Sequence, residues 1–103
     1  MILVLTTCPS RSAPRIIRTL LSNRLAACVS RIDGLASEYR WEGKVEKAAE
    51  TLLLIKAPSR RWKALQERLR AIHPYKVPEI VAFRSWAAER AYTRWLRKET
   101  LGD

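Results

Sequence analysis

The chain has 103 residues and carries 20 Lys and Arg against 10 Asp and Glu, a formal net charge of +10. That length predicts one domain over residues 1–103, small enough to need support beyond its own core; Cys8 and Cys28 are too few for a disulfide scaffold, which makes self-association the expected support. The opening MILVLTTCPS has no basic lead and only a short apolar run, and no stretch approaches the roughly 20 apolar residues of a membrane span, so a soluble, cytoplasmic chain with no membrane partner is expected.

Ile2 to Thr6 is a short apolar run rich in β-branched residues and reads as a buried strand ending at Cys8-Pro9-Ser10. A helix follows, with Ser12 as its cap and Pro14 in its first turn, and Ile16, Ile17, Leu20 and Leu21 form its apolar side. Ala27 to Trp41 reads as a long second strand in which Gly34 marks a bulge or bend. Glu42-Gly43 supplies a tight turn, and Lys44 to Lys56 returns as the third strand, ending in the apolar run Leu52 to Ile55. This hairpin is too long for a domain of this size to cover, so its tip is expected to project.

A second helix opens after Ala57-Pro58 with Ser59 as the expected cap; Trp62, Leu65, Leu69 and Ile72 form one apolar stripe. Pro74 ends it, because a proline disfavours helix in the residue before it. Val77 to Phe83 reads as the fourth strand, and Ser85 as the cap of a last helix carrying Tyr92, Trp95 and Leu96, with Leu101-Gly102-Asp103 expected to fray. The order is βαββαβ plus a C-terminal helix. Right-handed crossovers in one sheet then give an α+β, ferredoxin-like sandwich with a long projecting hairpin between its second and third strands. Both crossover helices fall on one face, which leaves the other face short of cover within a single chain.

The runs Leu25-Ala26-Ala27-Cys28-Val29, Tyr39-x-Trp41-x-Gly43-Lys44, His73-Pro74-Tyr75-x-x-Pro78-Glu79-Ile80 and Tyr92-x-x-Trp95-Leu96 strongly resemble the CutA family of divalent-cation tolerance proteins. The resemblance covers nearly the whole chain. It implies a tight homotrimer that shares the long hairpin between subunits, kinship with the trimeric PII signalling proteins, and a link to copper tolerance and weak divalent-metal binding. Two departures stand out. Thr6 occupies a position where family members often have a cysteine, with Cys8 two residues on. The loop Phe83-Arg84-Ser85-Trp86-Ala87 lacks the glycine usual before the last helix.

The resemblance makes His73 and Glu79 metal candidates, with Cys8 as a soft third donor; imidazole and thiolate suit copper. The spacings alone are not diagnostic, and each residue also has a plainer reading: a helix-end cap for His73, a strand-entry charge for Glu79, an exposed thiol or core residue for Cys8. Tyr39, Trp41 and Trp95 read as interface anchors, and Lys44 as a contact for an anion in an intersubunit cleft or as a solvated lysine. No glycine-rich phosphate loop or G-x-S-x-G occurs, and His73 is the only histidine, so no ordinary catalytic chemistry and no organic cofactor are expected. The main reading is a trimeric divalent-metal (copper) binding or tolerance protein. The alternative is a PII-like sensor or adaptor binding a small anion or a partner protein between subunits. A specific nucleic-acid partner is not expected: the third strand lacks the aromatics of an RNA-binding sheet, and the positive charge is spread along the sequence with no basic tail.

Overall fold

The computed structural model describes residues 1–103. Ile2–Cys8 forms β1, with Ile2, Val4, Thr6 and Cys8 buried and the residues between them only half covered. This alternation follows from the period of two in a strand that lies between a full core and a partly open face. Ala13–Ser22 forms α1, Cys28–Trp41 β2, Lys44–Ala57 β3, Trp62–Ile72 α2, Val81–Arg84 β4 and Arg90–Leu101 α3. The strands make one antiparallel sheet in the order β2-β3-β1-β4, the ferredoxin-like arrangement. Ile16 and Leu20 of α1 and Leu65 and Leu69 of α2 join Val4, Leu53 and Ile55 in the core on one side of that sheet. Full burial of such aliphatic side chains stabilises by about 1.5–3 kcal/mol each.

The hairpin is as long as the sequence suggests. Tyr39, Arg40 and Trp41 pair with Glu46, Val45 and Lys44, and Glu42 and Gly43 both take positive φ (51° and 79°), which matches the twist of a two-residue hairpin turn. The register slips between Ile32 and Leu35, where Gly34 has φ 77°, the expected bulge. The molecule measures 47 × 26 × 23 Å, and the projecting hairpin accounts for the long axis.

Local expectations at element ends need correction. Ser12 and Ser59 do not cap through their side chains; each lies in a single 3-10 turn, Ser10–Ser12 and Ser59–Arg61, that leads into its helix. Ser85 does not start α3 either. Its hydroxyl donates to the Met1 carbonyl at 3.0 Å and its backbone N–H to the same oxygen, closing the sheet edge five residues before the helix begins. The C-terminus is tied rather than frayed: Gly102, with φ 80°, donates to the carbonyls of Arg97 and Lys98, and Asp103 lies 3.1 Å from Arg97. The fourth strand begins at Val81, not Val77, so Pro78, Glu79 and Ile80 precede it.

Candidate functional site

The late start of β4 leaves part of β1 without a strand partner. β4 pairs only with Ile2 to Leu5, so the Thr7 carbonyl on that edge needs another donor. His73 supplies it. Pro74 holds His73 in extended conformation (φ −72°, ψ 134°) where α2 ends, and its Nε2 lies 2.8 Å from the Thr7 carbonyl oxygen. The backbone N–H of Tyr75 donates to His73 Nδ1 at 3.1 Å. Nδ1 is therefore the acceptor and Nε2–H the donor, which fixes one neutral tautomer. Burial lowers the His73 pKa, against the opposing pull of the Thr7 carbonyl and Glu50.

Tyr75 extends the cluster across the sheet. Its ring lies 4.9 Å from the His73 ring, and its hydroxyl donates to Glu50 Oε2 at 2.7 Å. Glu50, on β3, is only 8% exposed. Burial raises its pKa, but hydroxyls of Ser37, Tyr75 and Thr7 and the nearby His73 outweigh that and leave it lowered. Burial and the Glu50 carboxylate together push the Tyr75 phenol up. Beside Glu50, where β1 stops and the hairpin continues, is an open cleft of ≈350 Å³ lined by Ser10, Arg31, Asp33, Gly34, Ala49, Glu50 and Thr51. Asp33 there accepts from Arg31 at 2.7 Å and Thr51 at 2.6 Å, and these bonds lower its pKa.

The metal candidates are placed apart in character. Cys8 is fully buried in the core, and burial raises its thiol pKa. His73 is 7% exposed with both ring nitrogens in hydrogen bonds. Glu79 is exposed and makes no ion pair. No three His, Cys, Asp or Glu side chains in the chain converge as a cation site. The donor set of a single chain therefore does not fit a bound metal: a cation would reach His73 only by displacing one of its two hydrogen bonds.

Lys44 is exposed at the hairpin tip. Tyr39 and Trp41 are 45% and 42% exposed on the hairpin, while Trp95 packs tilted against Tyr92 (centroids 5.6 Å apart) on α3, where its neighbour Leu96 lines a hollow with Met1 and Pro58. One chain does not unite these three aromatics. Sequence reasoning missed Glu50, Asp33 and Arg31. The available signal was Glu50 itself, a carboxylate placed directly before the apolar run of β3 where a half-buried strand position was due.

The family described as CutA1 divalent ion tolerance protein matches residues 2–99. The chain belongs to the CutA1 family. The divalent-cation tolerance protein CutA of Thermus thermophilus is 47% identical over 98 residues, covering 94% of this chain and 95% of that protein. Human protein CutA is 39% identical over 95 residues, covering 91% of this chain but 53% of its own length; the chain spans about half of the plant and mammalian relatives. The solved structure of the Thermus thermophilus protein superposes with a TM-score of 0.92 at 45% identity, covering 97% of this chain and 99% of that one. A structure described as the PII-like protein CutA from Nostoc gives 0.92 at 32% identity, with 97% of each chain covered. Thr6 Oγ1 is buried without a hydrogen-bond partner.

Proposed function

We propose that this CutA1 protein serves divalent-cation tolerance as a homotrimer, without catalytic chemistry, and that copper or another divalent cation is held weakly where subunits meet rather than inside one chain. The observation that carries the reading is the uncovered apolar surface. Ile32, Tyr39, Trp41 and Val45 on the hairpin and Val81, Phe83 and Trp86 at the β4 edge are exposed, Trp86 completely. Apolar exposure on this scale marks an interaction surface. Self-association there supports a site to which Glu79, exposed just before β4 and four residues on from Tyr75, contributes a free carboxylate.

Sedimentation equilibrium at micromolar concentration, followed by copper calorimetry on the assembled protein, tests both halves. The expected result is a trimer whose weak copper binding drops with Glu79→Gln. A folded monomer overturns the assembly. Equal affinity in wild type, Glu79→Gln and His73→Ala overturns the cation site.

The likeness to a structure described as PII-like favours a second reading, a sensor or adaptor that takes a small anion or a partner protein in an intersubunit cleft. Arg31 in the cleft and Lys44 at the hairpin tip are its candidate contacts, and binding of a small anion that is lost in Lys44→Ala or Arg31→Ala separates it from the first.

A further inference from the structure

The positive charge looks evenly spread in sequence but not in space. Residues 10–24 and 59–72, which are α1, α2, their lead-in turns and the turn that follows α1, hold nine Lys and Arg and a single acid, Glu67; the rest of the chain holds eleven and nine. Almost the whole excess therefore belongs to the helix layer. Arg11, Arg15, Arg18, Lys63, Arg68 and Arg70 are exposed there and make no ion pair or side-chain hydrogen bond. Arg15 and Arg18 are three apart on α1, and Lys63 and Arg70 are seven apart on α2, so each pair keeps to one helix side, with Arg11 in the turn that leads into α1. The two helices pack against each other, and adjacent helix axes lie about 8–10 Å apart. The layer is opposite the apolar sheet face, so assembly through the sheet leaves it outward.

We propose that this helix layer binds the sugar-phosphate backbone of a nucleic-acid duplex, without reading sequence. Five of the six free cations are arginine, whose planar fork matches phosphate oxygens in pairs. The pairs are held on two helices packed side by side. No aromatic side chain is exposed on these helices, since Trp62 packs against the core, so bases have nothing to stack on. Leu21, 40% exposed, is the one large apolar side chain open on these helices, which disfavours insertion into an anionic membrane, because interfacial helices set a whole apolar side of Trp, Phe or Leu against their basic side. Charge density then selects a duplex over a single strand.

The test is fluorescence anisotropy of a labelled 20-base-pair duplex, as DNA and as RNA, titrated with the assembled protein across a salt series. Binding is expected at low salt with a log–log salt slope of about −4 to −5, as release from four to six phosphates gives, and no dependence on base sequence. Reversing Arg15→Glu, Arg18→Glu and Arg70→Glu together is expected to weaken binding by about 100-fold or more, since each lost contact removes one phosphate from that slope. A control with Arg90→Glu, Arg94→Glu and Lys98→Glu, three exposed and unpaired cations on α3, removes equal charge and is expected to change affinity by no more than about threefold. Circular dichroism verifies that both variants fold. Absence of duplex binding at low salt, equal losses in the two variants, or capture by phosphatidylglycerol vesicles with none by the duplexes overturns the proposal.

Discussion

His73 Nε2 sits 2.8 Å from the carbonyl oxygen of Thr7, on the stretch of β1 that β4 does not reach. The ring thus completes the sheet edge, and its other nitrogen receives the Tyr75 N–H. Removing it leaves a strand carbonyl and a loop amide without partners. His73→Ala is expected to destabilise the fold by about 2–3 kcal/mol, as two buried polar groups lose their hydrogen bonds. Urea denaturation of wild type and variant measures this; an unchanged midpoint refutes the edge-closing role.

The same cluster sets the acid response. The folded pKa of His73 is lowered from 6.5, so the unfolded chain binds its proton first as pH falls. Its contribution is complete above the unfolded value and is lost as pH drops from 6.5 through the folded pKa. Glu50 is also lowered, from 4.5, so its contribution is present above that value and is lost as pH falls through its folded pKa. Melting temperature plotted against pH is expected to decline in two stages, the upper one absent in His73→Ala. Tyr75, raised from 10.0, adds an alkaline limb that weakens the fold as pH rises above 10.

Tyr75→Phe keeps the ring against His73 and deletes only the donor to Glu50. The carboxylate then stays buried with fewer partners, a loss of about 1–3 kcal/mol, and its pKa moves up. Carbon-detected titration of Glu50 checks the second effect, and an unshifted carboxyl shows that Ser37 and Thr7 hold it alone.

Thr6→Val is expected to stabilise. Thr6 is fully buried, and Oγ1 has no hydrogen-bond partner, so a methyl of equal shape removes an unmet desolvation cost of about 1–3 kcal/mol. Thermal unfolding reads the sign directly. A lower melting temperature means that the hydroxyl is satisfied in solution.

Trp41→Ala tests the assembly surface. Truncating a large aromatic at the centre of an interface costs on the order of 2 kcal/mol or more. Sedimentation equilibrium of the variant is expected to show a shift toward monomer, and unchanged assembly places Trp41 outside the contact.

Residue patterns alone determined the order βαββαβα, the hairpin turn at Glu42-Gly43 and the bulge at Gly34, because strand alternation, helix periodicity and positive φ are local properties. They also carried the family, since its motifs lie in sequence order along nearly the whole chain. Tertiary structure decided the rest. Ser12, Ser59 and Ser85 look like caps, yet their surroundings offered 3-10 turns or the Met1 carbonyl instead. Glu50 and Tyr75 are 25 residues apart and meet only because β3 pairs with β1 and the loop after α2 lies against the end of β1. The two basic segments are about 35 residues apart in sequence and form one cationic layer only because both crossover helices fall on the same side of the sheet. Contacts of this kind depend on chain topology, which no single stretch of residues contains.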